Sequence, residues 1–237
     1  ARSSPERTNA PGEALRRSSE PYVAFDLPDR LVIAKPAGWE VFNQHVEQQL
    51  LSFSQGISSN RWSILGDAEH HHGFLHRLDV PSSGLILAAK TYEAYYDLQF
   101  QLCASEIARD YVVLCHGWMP PDLLEINASV SWRGTLPTTA GMQGRPSRTQ
   151  LKVMAHTSQE GCALSLVAIR IATGRRHQIR SHLSHVGHPT LRDGKYTASS
   201  TFQSDLKLCA QNCLHRYRLA FKDVGGMVCE VIEPVPA

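Results

Sequence analysis

No apolar run in this 237-residue chain approaches the roughly 18 residues that a membrane-spanning helix requires, which excludes a helical transmembrane segment. Cysteine is too thinly spread for a stapled scaffold. The six residues are Cys103, Cys115, Cys162, Cys209, Cys213 and Cys229, and the first three sit in apolar stretches where cysteine behaves as a small hydrophobe. A disulfide framework is therefore excluded, and the reading is of reduced thiols in an intracellular, reducing compartment. Net charge is nearly absent at +2, so bulk charge makes no case for a nucleic-acid partner. Internal repeats are absent as well. The most informative shortage is local. Between Arg133 and Arg192 the single acid is Glu160, against Arg133, Arg145, Arg148, Lys152, Arg170, Arg175, Arg176, Arg180 and Arg192. A local excess of this kind can build a basic cleft in a protein that is almost neutral overall.

What is present is an ordinary globular composition, 42% hydrophobic and 19% charged, in a chain long enough for one large domain. Residues 1–20 mix Arg, Ser, Pro and Glu with few apolar groups; they cannot offset the entropy of ordering and read as a flexible tail. From residue 21 onward the pattern is mixed. Val23–Phe25 and Leu31–Ala34 read as two strands joined by a turn at Asp26, Pro28 and Asp29. Residues 47–74 hold one short helix and the run His70-His71-His72. Leu85–Ala89 reads as a buried strand, and Thr91 as the N-cap of a helix whose Ala94, Tyr95, Leu98 and Leu102 recur at helical spacing and which ends near Ser105. Arg109–Leu114 and Leu164–Ile171 are strands; residues 133–148, rich in Gly and Pro, form a loop or a bent hairpin. A helix is predicted to begin at Arg175-Arg176-His177. It would bury Ile179, Leu183 and Val186 and put Arg176, Arg180 and Ser184 on another face, with Gly187 as its C′ residue. Leu214–Phe221 suggests a late strand.

The chemistry centres on His76-Arg77-Leu78-Asp79-Val80-Pro81-Ser82-Ser83-Gly84, a polar turn running into the buried strand at Leu85. An Asp before Pro, Ser and Gly is common turn chemistry, with Pro81 and Gly84 stiffening and sharpening the bend. Its company sets it apart: Arg109-Asp110-Tyr111 opens a strand, and Gly174-Arg175-Arg176-His177-Gln178-Ile179-Arg180 lies in the basic stretch. A guanidinium can hold a lone carboxylate ionised and fix its orientation by bidentate hydrogen bonds. No second acid occupies a comparably distinctive turn, which argues against a two-carboxylate glycosidase.

These motifs, with Lys35-Pro36-Ala37-Gly38 before them, His182-Leu183 and Gly187-His188-Pro189 within them and Leu214-His215-Arg216-Tyr217-Arg218-Leu219-Ala220-Phe221 after them, resemble the RluA-type RNA pseudouridine synthases over about residues 22–222. The resemblance implies an α+β pseudouridine synthase fold over residues 21–237, with a mixed, mainly antiparallel sheet, flanking helices and a central catalytic cleft. It implies an isomerase that turns uridines of RNA into pseudouridine, with no cofactor, no metal and no membrane partner. The partner is RNA, ribosomal or transfer RNA foremost, and the expected state is a monomer. Asp79 would be the catalytic carboxylate, Arg180 its ion-pair partner, and Tyr111 the group that packs on the base and takes part in proton transfer. Arg77 would enter the RNA stack as the uridine flips out, and His76, Arg109, Arg175, Arg176, His177 and Gln178 would contact RNA. The sequence departs from the family pattern at Ser82, where Thr is usual, at Arg192 before Asp193, where Gly is usual, and at Thr197 after Tyr196.

Two rival readings concern metals. His70-His71-His72, and His177, His182, His185 and His188, are clustered, but Arg176 and Arg180 beside the second group would repel a cation. Cys209-x3-Cys213-x-His215 lacks a second ligand pair. The remaining rival keeps the fold and binds RNA as a catalytically idle ribonucleoprotein component. Such a protein could lose Asp79, Tyr111 or Arg180 freely, and this chain has all three.

Overall fold

Leu31 and Ile33 of one strand, and Ile86 and Ala88 of its neighbour, enter one hydrophobic cluster, while Val32, Leu85, Leu87 and Ala89 enter another on the opposite side. The period of two sends alternate side chains to opposite faces of one sheet, and both faces are covered here, so these strands read as unbroken apolar runs. A computed structural model describes residues 19–42, 45–58 and 61–236. The tail expected at residues 1–20 lies outside the described residues except for Ser19 and Glu20.

Strands β1 (Tyr22–Asp26) and β2 (Arg30–Lys35) form the expected hairpin, and the wholly buried β3 (Ser83–Ala89) pairs antiparallel with β2. Between them lie α1 (Leu50–Ser58) and two short 3-10 turns, Ser63–Gly66 and His71–Gly73. Helix α2 (Tyr92–Cys103) starts at Thr91, whose hydroxyl accepts from the Ala94 amide at 3.2 Å, and buries Ala94, Tyr95 and Leu98 against the sheet. The chain returns as β4 (Ala108–His116). After the short strand β5 (Glu125–Asn127), β6 (Ser129–Ser131) and β7 (Thr139–Gly141) form a small hairpin. Then come β8 (Arg148–Gln159), β9 (Cys162–Ile171), α3 (Gln178–His185), α4 (Ser199–Asp205), β10 (Leu214–Lys222) and β11 (Val228–Ile232). The main sheet runs β1-β2-β3-β10-β4-β9-β8-β5, with β11 also on β10. The β3–β10 pairing is parallel and the others are antiparallel, the mixed, mainly antiparallel sheet of the α+β reading.

Three local readings change. The helix predicted from Arg175 begins at Gln178, because His177 adopts a left-handed conformation at φ 50°, which an α-helix cannot include. Arg176 therefore shares no helical face with Arg180. Gly84 lies inside β3 instead of the turn. Its φ is 117°, and a Cβ there would collide with the backbone nitrogen and oxygen of Arg216. The 133–148 stretch is mostly loop, with β7 closing a small hairpin on β6 as one of its two readings allows, whereas β5, β8 and β11 have no counterpart in the sequence reading.

The sheet opens at β10. His215 and Arg216 pair with β3, after which β3 separates and β11 pairs with the remainder from Arg218 onward. On the other edge the β4–β10 register slips between His215 and Arg218, so the two residues Arg216 and Tyr217 span one residue of β4, Tyr111. A bulge of this kind re-aims a side chain. Here the side chain is that of Arg216.

Candidate active site

The turn before β3 is clamped from two sides. The Ser82 amide donates to the Asp79 carbonyl at 3.0 Å, and the Gly38 amide donates to the Val80 carbonyl at 2.7 Å. Lys35, at the end of β2 and 2% exposed, gives its ammonium to the carbonyls of Pro36 (2.9 Å), Trp39 (2.8 Å) and Val80 (3.5 Å). Burial draws the Lys35 pKa down to about 7, with the Asp79 charge opposing that shift. A rigid loop-on-turn support thus presents the Asp79 carboxylate to a cavity.

Arg180, in the first turn of α3, meets that carboxylate. Its Nη1 donates to Asp79 Oδ2 at 2.9 Å, while Nε and Nη2 make a bidentate pair with Asp193 at 2.6 and 2.7 Å. The bidentate grip expected on Asp79 falls on Asp193 instead. Asp193 is fully buried and also accepts from the Thr190 hydroxyl at 3.0 Å and the Lys195 amide at 3.2 Å. Arg180 rests 5.1 Å from the centre of the Tyr196 ring, whose hydroxyl accepts from the Thr138 amide at 2.9 Å and meets His177 Nδ1 at 2.9 Å. The consequence for Asp79 is specific. One oxygen is fixed by Arg180, and the other accepts no hydrogen bond among the described residues, with His177 Nε2 at 3.9 Å. Burial works to raise the Asp79 pKa, but the charge and hydrogen bond of Arg180, together with His177 and Arg77, outweigh it and hold the carboxyl below its usual value. His177 is neutral at neutral pH, because burial lowers its pKa to about 4.

The facing wall is built from β4 and β10. Tyr111, 3% exposed, accepts hydrogen bonds from both Nε (2.9 Å) and Nη2 of Arg216. Arg216 Nη1 donates to the Leu85 carbonyl at 2.9 Å and to His76 Nδ1 at 2.7 Å. Burial, then the charges of Arg216 and Arg109, push the His76 pKa well below its usual value, so the ring is neutral and Nδ1 is the acceptor. Arg109 Nη2 donates to the Ala172 carbonyl, but its buried Nε has no partner among the described residues, and the same holds for Nε of Arg175 and the Ser82 hydroxyl.

Every residue that the family resemblance assigns to catalysis or RNA contact lines one cavity of about 250 Å³: His76, Arg77, Asp79, Arg109, Tyr111, Arg175, Arg176, His177, Gln178 and Arg180. Their availability differs. Arg77 is exposed, and Arg176 is tied to the Gly134 carbonyl at 2.7 Å. Gln178 uses its whole amide on the protein. Its oxygen accepts from Thr173 Oγ1 and the Arg175 amide, and its nitrogen donates to the Arg148 carbonyl and Thr149 Oγ1. Arg216, Asp193 and Tyr196 carry no role in the sequence reading: Arg216 stands there only as part of a motif, and Asp193 and Tyr196 only for their unusual neighbours. The cavity is lined by six arginines (Arg77, Arg109, Arg175, Arg176, Arg180 and Arg216) against one carboxylate, Asp79. That imbalance suits a polyanionic ligand.

The sequence profile of the RNA pseudouridylate synthase family matches residues 29–185. The chain belongs to this family. Its sequence places it with the RluA type. It is 31% identical over 175 residues to the ribosomal large subunit pseudouridine synthase D of Salmonella typhimurium, covering 69% of this chain and 52% of that protein. It is 31% identical over 196 residues to the uncharacterized RNA pseudouridine synthase YhcT of Bacillus subtilis, covering 81% of this chain and 61% of that protein. The chain thus spans little more than half the length of these relatives. Among solved structures, human RNA pseudouridylate synthase domain containing 1 superposes with a TM-score of 0.73 at 22% identity, over 92% of this chain and 84% of that one. Human RNA pseudouridylate synthase domain containing 4 gives 0.62 at 19% identity, over 90% and 88%. The pseudouridine synthase fold is therefore that of this family member, with the cavity described above at the opening of its sheet.

Proposed function

We propose that this chain is an RNA pseudouridine synthase whose catalytic carboxylate is Asp79. The observation that carries the reading is a lone, ionised carboxylate with one oxygen held by Arg180 and the other left toward a cavity lined by six arginines. A carboxylate that must act on a ribose carbon needs a free oxygen, fixed orientation and a lowered pKa, and Asp79 has each. The uracil detaches from C1′, turns in the cavity and rebonds through C5; a proton then leaves C5 and one is gained at N1. Tyr111, across the cavity, supplies a flat apolar face and a hydroxyl suited to that transfer. Exposed Arg77 fits the place left by an extruded uridine, and Arg109, Arg175 and Arg176 fit the phosphates around it.

Large-subunit ribosomal RNA is the first substrate to offer, given the name of the Salmonella relative. Incubation with total RNA followed by chemical mapping of pseudouridine tests the reading. New pseudouridine at defined sites is the expected result. Binding of RNA with no new pseudouridine would replace the enzyme with an idle RNA-binding relative.

A further inference from the structure

Arg216 is the residue that this function does not yet use. It is 2% exposed, and among the described residues it makes no ion pair. A buried guanidinium without a carboxylate is costly, so what it faces matters. Two of its N–H groups converge on the Tyr111 oxygen, and a third group is divided between the Leu85 carbonyl and His76 Nδ1. Two residues along β4 from Tyr111, Arg109 places a second buried charge close enough to interact with both Tyr111 and Arg216. The phenol oxygen is thus the acidic group that these cations share.

Arginine donates and never accepts. The Tyr111 oxygen must therefore receive from Arg216, and its own proton must point away from that guanidinium. The placement is built into the backbone: Gly84 allows β10 to approach β3 at Arg216, and the bulge over Tyr111 directs the side chain inward.

We propose that Arg216 is a positioning residue of the isomerisation, acting through Tyr111: it orients the hydroxyl and stabilises negative charge on that oxygen as protons cross it. This rests on the pseudouridine synthase reading. The step balances without any co-reactant. The phenol proton passes to N1 of the rebonded ring, the phenolate takes the proton from C5, and the C5–H electron pair restores the ring's C5–C6 double bond. Preorganised donors aimed at developing charge are effective in a buried site because they need no reorganisation.

The test compares Arg216→Gln and Arg216→Lys with wild type, each also in a Tyr111→Phe background, using the full chain and single-turnover pseudouridine formation. Arg216→Gln should slow turnover by about 100-fold with RNA affinity within about three-fold, and should raise the pH at which the basic group of the profile titrates. Arg216→Lys, which keeps the charge but loses the fork, should recover part of the rate. In Tyr111→Phe the Arg216→Gln change should cost almost nothing further. An equal loss in both backgrounds, or a loss confined to RNA affinity, overturns the proposal. A readout independent of turnover is the carbon resonance of ring-labelled Tyr111, assigned with Tyr111→Phe. At constant pH this resonance should move in Arg216→Gln as the hydroxyl oxygen loses its two donors, and an unmoved resonance overturns the inference even if wild type makes no pseudouridine. Should Arg216→Gln fail to fold, the Arg216→Lys resonance, expected to move less but in the same direction, decides.

Discussion

Two arginines bury their guanidinium groups in the same cleft, and they keep opposite company. Arg180 lies between two carboxylates, with Asp193 taking its fork and Asp79 its remaining Nη1. Arg216 touches a phenol, an imidazole and a carbonyl. The first arrangement is balanced before any ligand arrives: Asp193 offsets the Arg180 charge, so Asp79 is oriented without being neutralised. The second is unbalanced and leaves positive charge at a phenol. Under the proposed mechanism a carboxylate that attacks and a phenol that relays protons would need different surroundings, and the facing walls of the cleft differ in that sense.

Breaking the carboxylate wall at its reactive atom should give the largest effect. Asp79→Asn keeps the shape and removes the nucleophilic charge, so pseudouridine formation should fall by about 10⁴-fold or more while RNA affinity stays within a few-fold, because phosphate contacts dominate it. Single-turnover rates and filter binding measure the two. Near-normal turnover would remove Asp79 from the mechanism and leave the Arg216 wall as the site of chemistry.

Next in size is Arg180→Ala. It strands a fully buried Asp193 and a largely buried Asp79 without their shared cation, a loss of about 3–5 kcal/mol in urea unfolding by analogy with other broken buried pairs. It should also raise the Asp79 pKa, since burial then acts unopposed by Arg180. The acid limb of the pH–rate profile should move to higher pH. A profile that stays in place would mean that Asp79 does not depend on this cation.

Much of the carboxylate wall was legible in the sequence, and much of the other was not. Asp79, Tyr111 and Arg180 stand in motifs whose order and spacing are distinctive; the turn that presents Asp79 runs into an apolar strand, and Tyr111 lies on another. Arg216 looked unremarkable because alternation around Tyr217, Leu219 and Phe221 assigns Arg216 and Arg218 together to the other face. The bulge breaks that alternation. Arg216 is buried, whereas Arg218 stays a quarter exposed and pairs with Asp110 and Glu230. Asp193 was obscure for a different reason: its partner lies thirteen residues back on a helix, and no local period records such a pairing. Strand β8 carries few apolar residues in its second half, which is exposed, so its existence depends on pairing with β9. At Arg192, where the family usually has Gly, φ is 57°. This arginine takes the left-handed conformation and gains a bond from its amide to Asp205 at 2.7 Å.

The backbone device behind Arg216 gives a sharper, smaller contrast. Gly84 and Gly187 both have positive φ, at 117° and 86°, but only the former would place a Cβ against backbone; the latter faces open space. Gly187→Ala should cost about 1 kcal/mol, the conformational part alone. Gly84→Ala should cost about 3 kcal/mol and slow turnover as well, because β10 must retreat at Arg216. Equal losses in thermal unfolding would show that the close approach of β3 and β10 is dispensable.

A graded effect, spread over two pH units, is expected on the carboxylate wall at acid pH. His177 is neutral in the folded protein down to about pH 4, whereas an unfolded histidine titrates near 6.5. Between those values the unfolded chain binds a proton that the folded chain refuses, so stability must fall as pH falls, by about 2 kcal/mol after allowance for solvent screening. Asn tolerates the left-handed backbone at this position and does not titrate. Urea midpoints for His177→Asn should therefore decline less steeply than wild type from pH 6.5 to 4.5. The remaining slope should include His215, whose pKa burial also lowers to about 4 and which lies behind the Arg216 wall on Ser83 at 2.9 Å. If His177→Asn leaves the slope unchanged while removal of His215 flattens it, the acid-sensitive element belongs to the β3–β10 junction and the Asp79 wall tolerates a protonated neighbour.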